Sequence, residues 1–340
     1  MAKDICCLGI ESTAHTFGVS IIKNQQILSN VKDSFVSEDG GMIPYQVADH
    51  HVNVCDVLVK KALSEANISL KEVDLISFSQ SPGIGPMLRI GAMVARTLSV
   101  ENNIPIIGVN HCIAHLEIGR LLSDAKDPIL LYASGANTQI IAYDSGKYRV
   151  FGETLDMGVG NFLDQLARVF GLGFPGGSKI GMLAQEYREE CKDKGIEPEY
   201  LELPYNVKGM DLAFAGIFTY VKDKLKDQYP MSQIFYSVEE TVYAMLNEVT
   251  ERALAHCGKD EVLLGGGVAC APRLQKMTKD MCGARNAKAF VLENQFNVDN
   301  AAMIAWLGII MFDSGIRHKV SEMVIDAYTR TDEIEVTWRY

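Results

Sequence analysis

No stretch of this chain approaches twenty consecutive uncharged apolar residues, which argues against a membrane-spanning helix. The amino terminus, Met1-Ala2-Lys3-Asp4-Ile5, has no basic region followed by a long apolar core, so no secretory leader is read there and a soluble, cytoplasmic chain is expected. Cys-x-x-Cys pairs are absent too. The eight cysteines (Cys6, Cys7, Cys55, Cys112, Cys191, Cys257, Cys270 and Cys282) are scattered, which suggests neither a zinc ribbon nor a disulfide framework and fits a reducing compartment. Positive charge is in deficit: 32 Lys and Arg against 43 Asp and Glu leave a net charge of -11. Broad nucleic-acid binding is disfavoured, because neutralising phosphates requires cations, and an RNA substrate would need partners or a local patch to supply them. No low-complexity segment occurs. A hydrophobic content of 48% with 22% charged residues excludes a disordered tail, and 340 residues suffice for two domains.

What is present is a repeated plan. Apolar strands over 5–10, 17–22 and 27–31 are separated by polar turns at 11–13 and 23–25. The same meander recurs as strands over 129–133, 139–143 and 148–153, with turns at 134–138 and 144–147. Each copy is followed by helical sequence, which suggests two related α/β lobes facing each other across a cleft. After the first meander the spacing predicts a helix over 46–66, a buried strand over 73–78, a breaker-rich loop at 81–86, a helix over 89–100 and a strand over 104–109. Asp127-Pro128 marks the passage to the second lobe. That lobe carries the glycine-rich run 171–177, a helix over 238–256, and a strand over 261–264 ending in Gly265-Gly266-Gly267. Residues 189–199 read as a solvated helix end or loop.

His111 and His115 are the most informative pair. On a helix, positions i and i+4 share a face and can hold one metal ion. Metalloproteases with paired histidines carry a glutamate directly after the first as general base, and here that position is Cys112, which turns the reading away from peptide hydrolysis. Ser134-Gly135-Ala136-Asn137-Thr138 can present backbone N-H groups to a phosphate, or can be a plain hairpin turn. Gly176-Gly177 and Gly265-Gly266-Gly267 add two places where backbone could approach a ligand. None of them matches the lysine-containing phosphate loop or the dinucleotide fingerprint. Asp164, near a glycine-rich helix start, could accept ribose hydroxyls or simply favour the helix start. Asp299, before the apolar run 301–310, is either a helix cap or a carboxylate ligand. Tyr132 ends a strand and by default is a core aromatic.

These residues, in this order, closely resemble the universal tRNA threonylcarbamoyladenosine-forming family in its archaeal and eukaryotic branch, the catalytic subunit of the KEOPS complex. The resemblance covers nearly the whole chain. It is carried by Gly9-Ile10-Glu11-Ser12-Thr13, Ser81-Pro82-Gly83-Ile84-Gly85-Pro86, Gly108-Val109-Asn110-His111-Cys112-Ile113-Ala114-His115, Gly152-Glu153-Thr154-Leu155-Asp156, Tyr205-Asn206-Val207-Lys208-Gly209-Met210-Asp211 and Arg330-Thr331-Asp332-Glu333-Ile334-Glu335-Val336-Thr337-Trp338. It implies an α/β, actin-like, sugar-kinase-like and Hsp70-like (ASKHA) fold of two RNase H-like lobes with a central cleft. The first lobe would span 1–127, completed by a C-terminal helix after 300, and the second 128–340.

The resemblance further implies transfer of a threonylcarbamoyl group from threonylcarbamoyl-AMP to N6 of adenosine 37 in tRNAs reading codons that begin with A. One divalent ion, with iron favoured and zinc the alternative, would be held by His111, His115, Tyr132 and Asp299, with His111, His115 and Asp299 catalytic. Threonylcarbamoyl-AMP or ATP would contact Tyr132, Ala133, Ser134, Gly135, Ala136, Asp164 and Gly177. Partners would be an atypical small protein kinase, a small dimerising subunit, an accessory subunit, and tRNA as substrate. The chain departs from the family pattern at Ala136, where a second glycine is usual, at Gly181, where a glutamate is usual, and at Ala271, where an asparagine is usual. Gly181 and Ala271 keep open a nucleotide-binding, non-catalytic scaffold that regulates a partner kinase. A metallo-endopeptidase and a sugar or acetate kinase are the remaining alternatives.

Overall fold

The computed structural model describes residues 4–37 and 42–339; Met1 to Lys3, in the segment that carries the leader expectation, lie outside them. The chain runs through β1 (Cys6–Glu11), β2 (Thr16–Lys23), β3 (Gln26–Ser34), α1 (Pro44–Glu65), β4 (Leu75–Ser81), α2 (Gly85–Asn102), β5 (Ile106–Asn110) and α3 (His111–Leu122). It continues with β6 (Ile129–Ala133), β7 (Thr138–Asp144), β8 (Lys147–Glu153), α4 (Val159–Val169), α5 (Gly177–Asp193), β9 (Val207–Lys208), β10 (Asp211–Leu212), α6 (Ala215–Tyr220) and α7 (Met231–Cys257). The last elements are β11 (Glu261–Gly265), α8 (Pro272–Ala284), β12 (Lys288–Phe290), α9 (Asn294–Asn297) and α10 (Ala301–Asp313).

The expected repeat is visible in the sheets. One has the strand order β3-β2-β1-β4-β5 and the other β8-β7-β6-β11-β12, each an antiparallel meander extended by two parallel strands beside its first strand. The hairpins close through left-handed backbone at Asn24 and Gln25 and at Ser145 and Gly146, which matches the twist of the flanking strands. The parallel strands need helical crossovers, and those helices cover the sheet faces. Thus β1, β5 and β6 are buried along their whole length.

Three apolar clusters result. One lies under α1 and α2 on the first sheet, one under α5 and α7 on the second, and the third fills the space between the sheets around α3 and α10. Helix α7 begins seven residues before the predicted start. Its first turns bury Gln233, Ser237 and Glu239, so polar side chains with internal partners hid the apolar period there. Helix α2 likewise starts inside the expected loop, at Gly85, where Pro86 suits the first turn.

Helix α10 is apolar all round and lies against the first sheet at close range. A Cβ placed on Gly9 of β1 would stand 2.5 Å from the Ala301 carbonyl oxygen and 2.6 Å from Ala305 N, both backbone atoms. On the same contact Ser77 Oγ donates to the Ile304 carbonyl over 2.8 Å. Gly9→Ala is therefore expected to destabilise the protein by about 2 kcal/mol through overpacking, read from the midpoint of denaturant unfolding at unchanged slope.

Candidate metal centre and nucleotide cleft

The site assembles where strands end. Glu11 closes β1, Asn110 closes β5, Tyr132 and Ala133 close β6, and Gly265 closes β11, so the carboxyl ends of parallel strands from both sheets converge on the cleft. Helix α3 starts at His111 because Asn110 caps it, its side chain accepting from Cys112 N at 3.0 Å and Ile113 N at 3.2 Å. The cap places His111 and His115 on one face with ring centroids 4.8 Å apart.

Asp299 comes to meet them. Its Oδ1 lies 3.4 Å from Nε2 of His111 and 3.4 Å from Nε2 of His115. The two readings of this segment are thereby divided between neighbours: Asn300 caps α10, accepting from Met303 N, and the Asp299 carboxylate is left free for the histidines. The Tyr132 hydroxyl lies 3.0 Å from His111 Nε2, with its ring 1% exposed, so this aromatic both fills the core and faces the pair. The possible ligand atoms of His111, His115 and Asp299 all fall within 4.8 Å of one another. Two imidazole nitrogens, a carboxylate and a phenol oxygen directed at one point form a donor set that suits a borderline divalent cation.

Glu11 was not among the expected site residues. It is fully buried; one oxygen accepts from Thr13 N at 2.7 Å and Thr13 Oγ1 at 2.5 Å, and the other lies 3.0 Å from His111 Nδ1. A carboxylate only accepts, so Nδ1 of His111 keeps a proton and Nε2 is the nitrogen that a bound cation would take, in place of a second proton. The available signal was a carboxylate ending an otherwise apolar strand. Burial opposes charge on His111, yet Tyr132, Glu11 and Asp299 hold its pKa well above the ordinary imidazole value. Burial depresses that of His115. Burial also opposes charge on Asp299, but the two imidazoles hold its carboxyl well below the usual range. Glu11→Gln is expected to weaken divalent-ion binding about ten- to hundred-fold, because the carboxylate that orients His111 is lost while the volume is kept; titration of metal-free protein with Zn2+ measures it.

The glycine segments gather on the second-lobe side. The carbonyls of Ser134 and Gly135 accept from Gly160 N and Asn161 N at 3.0 and 2.9 Å, docking the β6–β7 turn on the start of α4. A Cβ on Gly160 would strike Gly135 Cα at 2.7 Å, and one on Gly266 would strike the Ala133 carbonyl at 2.3 Å. Gly135 itself faces open space, with only Asn161 at 3.6 Å from a built Cβ. Neither Gly135 nor Ala136 has positive φ, so alanine is accommodated in this turn without backbone strain. Asp164 lies in the second turn of α4 rather than at its start. Its Oδ1 accepts from Gly176 N at 2.6 Å, tying α4 to the beginning of α5, where Gly177 sits. Gly181, one turn later, leaves room in which the Glu239 carboxylate stands, 3.4 Å from a built Cβ and paired with Arg188 at 2.6 Å. Ala271 forms the cap position of α8 without a side-chain hydrogen bond.

Two lobes of one repeated plan, closing on a cleft, define the actin-like, sugar-kinase-like and Hsp70-like architecture. T. kodakarensis HypF shares it, superposing with a TM-score of 0.63 at 14% identity over 91% of this chain and 48% of that one. A sequence model of the tRNA N6-adenosine threonylcarbamoyltransferase family matches residues 26–306. The enzyme of that name from Thermococcus sibiricus is 51% identical over 332 residues, covering 97% of this chain and 99% of its own. A probable bifunctional tRNA threonylcarbamoyladenosine biosynthesis protein of Methanosarcina mazei is 46% identical over 339 residues, 99% of this chain but 60% of that longer protein. The chain belongs to the tRNA N6-adenosine threonylcarbamoyltransferase family. Among the described residues no helix is long and apolar enough to cross a membrane.

Proposed function

We propose that this chain transfers the threonylcarbamoyl group of threonylcarbamoyl-AMP to N6 of adenosine 37 in tRNA. The observation that carries the proposal is the convergence of His111, His115, Asp299 and Tyr132 beside the glycine-lined turn at Ser134. A protein of 51% identity over nearly the same length bears the corresponding name. His111, His115, Tyr132 and Asp299 would hold one divalent ion, iron in preference to zinc. When bound, that ion supplies a Lewis acid for an oxygen of the threonylcarbamoyl group. The chain's own residues do the rest. Backbone at Ala133, Ser134, Gly135, Ala136 and Gly177 approaches the adenylate phosphate, which sterically demands the small residues found there. Asp164 retains lone pairs beyond the one given to Gly176 N, and accepts a ribose hydroxyl. In the transfer, the exocyclic nitrogen of adenosine forms a bond to the carbamoyl carbon as the bond from that carbon to the phosphate oxygen breaks, releasing AMP and a proton.

The acidic balance supports RNA docking through companion subunits: an atypical small kinase, a small dimerising subunit and an accessory subunit. The longer bifunctional relatives, of which this chain spans about 60%, are consistent with a companion joined in one polypeptide. We place the reaction in the cytoplasm. We also divide the lobes at residues 127 and 128, with α10 serving the first. The test is to incubate the protein with threonylcarbamoyl-AMP, unmodified tRNA and its companion subunits, and to seek threonylcarbamoyladenosine in the digested RNA by mass spectrometry. Product is expected. No product, with companions proven competent beside another family member, would replace catalysis by the nucleotide-binding scaffold that Gly181 and Ala271 keep open.

A further inference from the structure

Lys32 reaches across from the first sheet to the far end of the candidate centre, with its Nζ 3.4 Å from the Asp299 carbonyl oxygen. Its position is fixed by its cross-strand partner. Lys32 pairs with Gly18 on β2, and a Cβ on Gly18 would stand 3.4 Å from Ala301 N, so this part of the sheet lies against the start of α10. Among the described residues no carboxylate forms an ion pair with Lys32. Two residues earlier on the same face of β3 is Asn30, whose Oδ1 is buried and has no hydrogen-bond partner. Val31, between them, points the opposite way into the cluster under α1. Lys32, an exposed residue level with Glu11, thus stands at the cleft end of this strand face, whereas Asn30, level with Gly9, lies one residue pair further in with its Oδ1 closed to solvent.

The proposed donor has chemistry to match. A threonylcarbamoyl group is linked through the amino nitrogen of threonine, which leaves the α-carboxylate ionised and the side-chain hydroxyl free. At a centre that already contains Glu11 and Asp299, a further carboxylate needs a cation beside it. The adenylate phosphate is served from the other lobe by the turn at Ser134, whereas Lys32 stands on the first lobe next to Asp299, on the side of the transferable group. We infer that Lys32 binds the threonine α-carboxylate of the donor, an inference that rests on the threonylcarbamoyl-transfer proposal. That contact makes the site selective for a carbamoylated amino acid over a bare carbamoyl group.

The experiment measures equilibrium binding of the full-length, metal-loaded protein to four ligands. These are threonylcarbamoyl-AMP, its analogue built on threoninol, its analogue built on glycine, and AMP. The native protein is expected to prefer the carboxylate-bearing donor to the threoninol analogue by about ten- to hundred-fold. Lys32→Met should erase that preference and leave AMP binding unchanged, which also shows that the variant is folded; Lys32→Arg should restore most of it. The glycine-based analogue, which keeps the carboxylate, should lose affinity in Lys32→Met by the same factor as the threonyl donor. In turnover the Lys32→Met defect should fall on KM for the donor rather than on kcat. Equal loss of AMP binding would assign Lys32 to the phosphate and overturn the inference, as would a native protein indifferent to the carboxylate. A native protein that discriminates as expected but forms no modified tRNA would instead sink the transfer proposal and leave this recognition standing.

Discussion

His111→Ala should lower threonylcarbamoyladenosine formation by about a thousand-fold, equivalent to about 4 kcal/mol of transition-state stabilisation. Three losses coincide in that one substitution. The nitrogen that faces Asp299 and Tyr132 disappears; the partner of the buried Glu11 carboxylate disappears, leaving only Thr13 to satisfy it; and the i,i+4 pair on α3 becomes a single histidine. The same variant should carry little divalent ion after purification from metal-supplemented medium, which elemental analysis measures alongside product yield. AMP binding should change much less, because the turns at Ser134 and Gly177 are built from other elements. Turnover that survived within ten-fold of the native rate would show that the histidine cluster is structural, and the proposed chemistry would have to move elsewhere in the cleft.

A second large effect is expected behind the same helix. Glu117, on α3, is 1% exposed and receives hydrogen bonds from the Tyr148 hydroxyl, from Trp338 Nε1 at 2.9 Å and from Arg120 at 2.7 Å. Arg339 continues the network to the Tyr148 hydroxyl and, by an ion pair of 3.0 Å, to Asp127. Glu117→Ala would leave a buried phenol, an indole N-H and much of a guanidinium without their acceptor. A loss of about 3–5 kcal/mol follows, far more than an exposed ion pair would contribute. Glu117→Gln, which keeps an acceptor oxygen while removing the charge, should recover part of it. Denaturant unfolding followed by tryptophan fluorescence is suited to the measurement, since Trp338 reports on the network itself. A midpoint unchanged in Glu117→Ala would mean that solvent satisfies these donors in solution.

The repeated meander was legible because its turns are polar and its strands alternate or run apolar, a local signal that survives without any tertiary knowledge. The histidine pair was legible for the same reason: four residues on a helix are a local distance. Tyr132 and Asp299 are different. They approach the histidines from 21 and 184 positions away in sequence, and nothing in their own segments distinguishes a ligand from a core aromatic or a cap. Only resemblance brought them into one set. Glu11 escaped because its role is to hold His111, a contact spanning 100 positions. The start of α7 escaped because buried polar residues broke the apolar period. At Ala136, where the family usually has glycine, the negative φ shows that the departure costs no backbone strain.

The close seating of α10 on β1 also has a consequence during synthesis. Gly9 leaves the ribosome early, while Ala301 and Ala305, which cover it, emerge almost three hundred residues later. Until then the inner face of the first sheet, with Cys7, Leu75 and Ile107, has no cover of its own. At translation rates of about 5–20 residues per second that interval lasts roughly 15–60 s. The nascent amino-terminal lobe is thus an apolar surface awaiting its last helix, and premature termination before residue 301 would yield a fragment that chaperones must hold or proteases remove.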